Sequence, residues 1–455
     1  MAMARGGALV AALWAVVLAL SRPAEATETN DNYNLRGGAR QGGVTTTGLD
    51  RMCSSPSFAK VVTGGKPTCI LAHAASVLPD LTHAVDALAQ TSSGVKLTSV
   101  LAPEHGFRGA QQAGHGGKNS TVDPRTGLQV YSIYLKGYEQ ILSLMQKDGS
   151  QVVLVDLQDC GARFYTYIWS LYDVLVAAAG SKVGGQGAGY PVKVVVLDRP
   201  NPLGGERIGG PVLDADFSSG VGKRPLSMQH GMTIGELANL FNEEYVGLED
   251  FSKGNKADLQ VVTMENWRRE LSFTDTGLPY VPPSPNLPTP TSVYLYVGLG
   301  LIEGVNISEG RGTALPFQLI GAPYMGWEYA DALRKLQMDG TEVREAYFVP
   351  VMSKHANQTC GGVEVSLPPK GGPQGELDAI RVGIQVIKLA HDMYKDQGGF
   401  DWVKSGSRYW IDLLTGNELV RTGIESGLQV DQIVAQWQHE LEWFKILAQK
   451  YLLYQ

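Results

Sequence analysis

The sequence predicts an α/β fold: a domain built on a parallel β-sheet with helices on both faces, followed by a smaller α+β domain. Three observations predict it. Three short apolar runs each end in a burst of charge, in LTSVLAPEHGFRG (97–109), VVLVDLQDCGARFYTY (152–167) and VKVVVLDRPNPLGG (192–205). These runs alternate with segments of helical apolar spacing. The alternation stops after Trp267 at TGLPYVPPSPNLPTP, which is too rich in proline for regular structure. Short β-branched runs read as strands buried on both faces of a parallel sheet. In open α/β sheets, ligands bind beyond the carboxyl ends of the strands. Glu104, Asp156, Asp159, Arg163, Asp198 and Arg199 are therefore expected to collect at one rim.

Taken in order, PTCILAHAA (67–75) predicts the first strand and LPDLTHAVDALAQ (78–90) a helix. VKLTSVLAP is a strand, GYEQILSLMQ a helix, QVVLVDL a strand, WSLYDVLVAAA a helix and VKVVVLD a strand. In TIGELANLFNEEY, Thr233 is placed to cap a helix and Glu236 to complete a capping box. DLQVVTM (258–264) is the last strand of the first domain. Strand–helix alternation of this kind gives a parallel sheet with right-handed crossovers. Beyond residue 268, short strands, a helix at 376–396 and a long helix near 430–453 make the second domain. The expected division is an export signal at 1–26, a flexible leader at 27–65, the sheet domain at 66–267 and the α+β domain at 268–455.

The signal rests on Arg5, the apolar stretch Ala8 to Leu20 and the small-residue site Ala24-Glu25-Ala26. That stretch is short for a membrane span, so a secreted protein with no membrane association after cleavage is expected. With 44% apolar and 18% charged residues over 455, the chain is globular. Its net charge of −7 excludes non-specific nucleic-acid binding. The four cysteines, Cys53, Cys69, Cys160 and Cys360, allow two disulfides, with Cys53–Cys69 the simplest pairing. Their spacing matches no metal site, and no metal or cofactor is expected. Asn119, Asn306 and Asn357 head glycosylation acceptors in form, although Asn306 lies inside a dense polar motif. The Gly-rich stretch 180–191 precedes a strand, so it lacks phosphate-cradle geometry and reads as a surface loop. GxxxxGK[ST], HExxH and GxSxG are absent.

Glu104 follows a buried strand and Pro103, and His105-Gly106 opens a Gly-rich loop. A carboxyl partly removed from water can donate a proton at neutral pH. Between Asp159 and Tyr167 an acid, an arginine and three aromatics fall within nine residues. Such a mixture suits a sugar ring, whose C–H faces stack while its hydroxyls hydrogen-bond. Phe164 and Tyr167 are expected to cover the sheet; Asp159, Arg163 and Tyr165 are candidates for the site. Asp198-Arg199-Pro200-Asn201-Pro202 is a stiff turn that presents Arg199 and Asn201, and Ser284-Pro285-Asn286 repeats the device. Glu303, Asn306, Glu309 and Arg311 add acids, an amide and an arginine. Glycoside cleavage usually needs a second carboxylate.

Together APEHGFRG, TGLQVYS, DLQDCGARFYTY, LDRPNPLGG, HGMTIGELA, PPSPNLPT, EGVNISEGRGTALPFQLIGAP, TCGGV and the terminal YLLY resemble the exo-β-N-acetylmuramidase NamZ family, formerly a bacterial domain of unknown function. The resemblance runs from about residue 66 to the end. It implies a Rossmann-like first domain without a nucleotide, a smaller second domain and an active site in the cleft between them. It also implies a substrate: peptidoglycan-derived muramic-acid glycans, cleaved to release the non-reducing terminal sugar. Glu104 matches the family's proposed catalytic glutamate, in a Pro-Glu-His-Gly motif that includes His105. Ala72-His73, Cys160 and Tyr280 depart from the family pattern. N-acetylmuramic acid carries a carboxylate, which guanidinium groups pair with bidentately; Arg108, Arg163, Arg199 and Arg311 all lie inside the motifs.

Three readings follow. In the first, a glycosidase uses Glu104 as general acid, with Glu309, Glu303, Asp159 or the substrate's own acetamido group completing the reaction. In the second, the protein binds peptidoglycan or another carbohydrate without turnover. In the third, a doubly wound fold uses a nucleotide.

Overall fold

The computed structural model describes residues 43–114, 120–368, 375 and 377–455. The expected export signal lies outside the described residues, as does the leader up to residue 42.

The described chain opens with helices α1 (Gly48–Ser54) and α2 (Pro56–Thr63). Strand β1 (Pro67–Ala72), helix α3 (Ala84–Leu88), strands β2 (Lys96–Ala102), β3 (Ser120–Val122) and β4 (Gln129–Ser132) follow. Next come α4 (Tyr138–Gln146), β5 (Val152–Asp156), α5 (Tyr167–Gly180) and β6 (Lys193–Leu197). A hairpin of β7 (Gly209–Val212) and β8 (Ser227–Gln229) leads to α6 (Ile234–Leu240) and β9 (Asp258–Val262). The second half holds α7 (Pro290–Leu299), β10 (Leu319–Ala322), α8 (Trp327–Arg334), β11 (Glu342–Phe348), β12 (Cys360–Ser366) and α9 (Ala379–Tyr394). It ends in α10 (Trp410–Thr415), α11 (Leu419–Glu425), α12 (Val430–Ala435) and α13 (Gln438–Gln449).

The main sheet has the order β3-β4-β2-β1-β5-β6-β9. Only the edge strand β3 runs antiparallel to its neighbour. A second, three-stranded antiparallel sheet has the order β10-β12-β11. The α/β class and the smaller sheet-containing part are as expected.

The sheet residues explain why the runs are apolar throughout. Cys69, Leu71, Val153, Val155, Val194 and Val196 face one apolar cluster. Ile70, Ala72, Val152, Leu154, Val195 and Leu197 alternate with them and face another. Successive side chains point to opposite faces, so a strand covered on both sides must be apolar at every position. The first cluster continues through Ile320, Ile384 and Phe444, so the second half of the chain packs into the same core.

Residues 48–63 correct the expectation of a flexible leader through residue 65. Leu49, Met52, Ala59 and Val62 are buried in the second cluster and cover that face of the sheet. Thr47 and Asp50 form a reciprocal capping box for α1, and Ser55 caps α2 with Pro56 in its first turn. The Cys53–Cys69 pairing is corrected too. All four thiols are free, and Cys53 packs on the α1 side of the sheet while Cys69 faces the other side. The capped helix at Thr233 forms as expected, and the expected long C-terminal helix is two, α12 and α13.

Helices α7 and α9 meet through glycine. A Cβ on Gly298 would lie 1.5 Å from the Ala379 carbonyl oxygen, and one on Gly383 would lie 2.2 Å from the Gly298 carbonyl oxygen. Both obstacles are backbone and cannot swing away. Gly298→Ala is therefore expected to cost about 3 kcal/mol or more, read as a lower denaturant midpoint at unchanged m-value.

Candidate active site

Beyond the carboxyl ends of β1, β5 and β6, the chain fills its own crevice. Arg199 Nε and Nη2 donate to the two Asp156 carboxylate oxygens at 2.6 and 2.8 Å, and Nη2 also donates to Val77 O. His73 Nε2 accepts from the Gln158 N–H at 2.9 Å, and burial, then the Arg199 charge, holds the imidazole well below its usual pKa. The crevice volume left beside Gln158 and Arg199 is about 20 Å³. A dinucleotide cannot enter this crevice.

Asp198 is just as enclosed. It accepts from Thr233 Oγ1, the Gly235 N–H and the Tyr454 hydroxyl. Burial pushes its carboxyl up to about 7 against those bonds. Because the folded pKa exceeds the unfolded one of about 3.9, this residue's contribution to stability falls as pH rises between those values. Thermal melts across that window should show a shallower decline for Asp198→Asn than for the natural protein, by at most about 1.4 kcal/mol per pH unit.

The open space lies elsewhere, in two cavities whose walls include the two groups that hold the Glu104 carboxylate, Gly114 and Thr166. Glu104 opens the loop after β2 and is 8% exposed. Its Oε1 accepts from the Gly114 N–H at 2.7 Å and its Oε2 from the Thr166 hydroxyl at 2.6 Å. Thr166 stands at the start of α5, which places the carboxylate beside that helix terminus. Tyr167, expected only to cover the sheet, donates to the Glu104 carbonyl oxygen at 3.3 Å and to Pro283 O at 3.1 Å. Tyr165 donates to the same Pro283 carbonyl at 2.9 Å. The two phenols thus bind the Glu104 loop to the proline-rich segment. His105 adopts a left-handed backbone (φ 68°) and its Nδ1 pairs with Gln111 O at 3.0 Å. Burial lowers its imidazole, with the Glu104 charge opposing.

A cavity of about 630 Å³ opens on the Gly114 side, with Asn286, Glu303, Glu309, Arg311 and Lys354 in its wall. Arg311 binds Glu303 through Nη2 at 2.8 Å and Glu309 through Nε at 3.2 Å. Lys354 Nζ lies 2.9 Å from Glu309 Oε2 and donates to Ile302 O and Val305 O. Burial would raise the Glu309 carboxyl, but Lys354 and Arg311 outweigh it and hold it below its usual range. Asn286 donates to Gln112 at 3.3 Å, and Ser284 Oγ accepts from the Asn286 N–H. A second cavity of about 800 Å³ opens on the Thr166 side, with Tyr134, Tyr138 and Trp169 in its wall. Trp410 walls both cavities.

The structure therefore brings Asn286, Glu303, Glu309 and Arg311 into one cavity wall, together with Gly114, whose N–H holds Glu104. Several other expected site residues are committed to the protein itself. Arg108 binds Asp86 and Asp123. Arg163 donates to three main-chain carbonyls, and Arg199 is consumed by Asp156. Asn201 donates to Met232 O and accepts from the Leu203 N–H, fixing the proline turn. Asn306 donates to Gly399 O and accepts from Tyr324 and the Asp401 N–H, which leaves its amide no freedom to carry a glycan. Asp159 accepts from the Gly161 N–H and faces His230 Nε2 at 3.1 Å. The common physical reason is burial: an arginine, aspartate or asparagine at a strand end must find partners, and here the backbone reaches it first. Sequence reading missed Thr166, Gly114, Lys354, Tyr134 and Trp410. Thr166 was in view inside the aromatic segment; Lys354 and Trp410 sit in no motif quoted above.

A buried carboxylate held by wall residues of two wide, aromatic-edged cavities, with further carboxylates in the wall of one of them, is a layout that suits a glycosidase. The comparisons with known proteins specify it. The family model "Exo-beta-N-acetylmuramidase NamZ, N-terminal" matches residues 68–291, and the corresponding C-terminal model matches 294–454. The chain belongs to this family. It is 40% identical over 409 residues to the peptidoglycan beta-N-acetylmuramidase NamZ of Bacillus subtilis (strain 168), covering 90% of this chain and 91% of that protein. Crystal structures of two DUF1343 family proteins from Bacteroides fragilis NCTC 9343 share the fold, each at 28% identity. The first has a TM-score of 0.76 over 90% of this chain and 99% of its own. The second has a TM-score of 0.66 over 91% and 99%.

Proposed function

We propose that the protein is a secreted exo-glycosidase that releases N-acetylmuramic acid from the non-reducing end of peptidoglycan fragments. The observation that carries this reading is Glu104, 8% exposed and held by one wall residue of each cavity, in a member of the NamZ family. The Gly114 N–H can only donate, so Oε1 is always an acceptor. A proton on the carboxyl therefore sits on Oε2, where the Thr166 hydroxyl can turn from donor to acceptor. Protonated in this way, Glu104 can hand a proton to the departing sugar oxygen.

Glu303 is the second carboxylate best placed to act. It lines the cavity, its side chain is 23% exposed, and among the described residues its carboxylate is paired with Arg311 alone. Glu309 is enclosed, and both of its oxygens face cations. It serves as fixed negative charge opposite a developing positive sugar centre. Export is supported by the apolar stretch Ala8 to Leu20 and the Ala24-Glu25-Ala26 site.

The test is digestion of muramic-acid-terminated glycan chains followed by mass spectrometry. Release of the monosaccharide alone supports the proposal. Release of longer fragments replaces exo with endo cleavage. Retention of the glycan without any product makes the protein a binder. N-terminal sequencing of protein recovered from the culture medium tests export.

A further inference from the structure

Lys354 lies in none of the motifs quoted from the sequence, yet the fold delivers it to the wall of the 630 Å³ cavity. We propose that Lys354 is a positioning residue of the reaction: carried in by the loop between β11 and β12, its ammonium group holds Glu309 in place as a permanent negative charge. The proposal rests on the glycosidase reading above and deepens it.

The loop covers residues 349–359, between the ends of β11 and β12. Ser353, His355 and Asn357 in it have left-handed backbones, with φ of 69°, 56° and 63°. Such conformations persist only where the surrounding contacts enforce them, and they gather at functional sites. The enforcing contacts lie on both sides of Lys354. The Val351 N–H donates to Gly312 O at 3.0 Å, and His355 Nε2 pairs with Asn306 O at 2.7 Å. A Cβ on Gly312 would lie 2.6 Å from the Met352 nitrogen, so the two segments meet backbone to backbone. Asn306 and Gly312 bracket Glu309 and Arg311 in the sequence. The loop is thus fastened to the segment whose carboxylate it serves.

The charges on this wall alternate. Glu303, Arg311, Glu309 and Lys354 form a chain with contacts of 2.8, 3.2 and 2.9 Å. Arg311 is shared between two carboxylates, so the chain without Lys354 carries a net negative charge. Glu303 meets water and Glu309 does not, which puts the cost of that imbalance on Glu309. Burial would raise the Glu309 carboxyl, and the Lys354 charge is the main influence against it. The other charged or titratable groups around this carboxylate are Arg311, Glu303 and the Tyr296 phenol beyond Arg311, and His355 next to Lys354. An ammonium has three donors. Two of those on Lys354 go to Ile302 O and Val305 O, both at 2.8 Å, and its charge is answered by Glu309. That arrangement suits a group that orients a carboxylate and does not itself grip a ligand.

The experiment follows kcat/KM against pH for the release of muramic acid from muramic-acid-terminated glycan chains by the intact protein and its variants. In Lys354→Met the acid limb should move up by about 1–3 pH units, because Glu309 then takes a proton more readily as the pH falls. The alkaline limb, where the general acid loses its proton, should move less. Lys354→Arg keeps the charge and should restore the natural acid limb. Lys354→Gln keeps a donor for the two carbonyls without the charge, and should show the same shift if the methionine variant fails to fold. A Glu309→Gln background tests whether Lys354 acts through Glu309, and removing both charges together leaves neither buried alone. On that background Lys354→Met should lower kcat/KM by less than about twofold further. An acid limb that stays in place in the neutral variants, a uniform loss at every pH, or a full additional loss on the Glu309→Gln background overturns the proposal. If the natural protein releases no muramic acid, the glycosidase reading itself fails and this proposal with it.

Discussion

Glu104→Gln is expected to lower the rate of muramic-acid release by about 10² to 10⁴, with little change in thermal stability. Glutamine keeps the shape and the acceptor that binds the Gly114 N–H, and its amide can donate to the Thr166 hydroxyl. What it cannot do is transfer a proton. The loss should therefore appear in kcat for release from glycan chains and be smaller for N-acetylmuramyl β-fluoride, whose leaving group needs less protonation. A glutamine variant that turned over glycan chains at the natural rate would remove Glu104 from the chemistry.

Arg163→Met is expected to be the most damaging change to stability. Arg163 is fully buried; its Nη1 donates to Pro211 O at 2.9 Å and Leu226 O at 2.7 Å, and its Nη2 to Leu414 O at 2.8 Å. Those carbonyls belong to the β7–β8 hairpin region and to α10, so one side chain ties the segment after β5 to both. Burial lowers its guanidinium to about 9, which marks how strongly water is excluded. Methionine fills similar space but removes the guanidinium donors from three buried carbonyls, of which Leu226 O keeps the Leu213 N–H. Losing the bond at Pro211 O and at Leu414 O costs about 1–3 kcal/mol each, a large share of the whole stability of many domains. Soluble yield and the urea midpoint should both fall sharply, and Arg163→Lys should be intermediate. A well-folded methionine variant that only lost substrate affinity would return Arg163 to the role first expected of it.

That reversal shows where sequence reading runs out. Three arginines at strand ends looked like an anion grip, yet Arg108, Arg163 and Arg199 are consumed by Asp86 and Asp123, by carbonyls, and by Asp156. A guanidinium has the same letter whether it faces a ligand or a carbonyl. Glu104 and Arg311 were legible because a long motif carried each one. Helices α1 and α2 were missed because they are short and rich in small residues, although Thr47 with Asp50 and Ser55 with Pro56 are readable start signals.

The sequence by itself determined the parallel sheet, since strands covered on both faces must be apolar at every position and turn polar where they end. It also determined the glutamate at that rim and the family. Only the tertiary structure decided which polar residues are free to act. The deciding quantity is the distance from each buried group to its nearest partner, and most of those partners come from remote parts of the chain: Leu414 for Arg163, Thr166 for Glu104, Lys354 for Glu309.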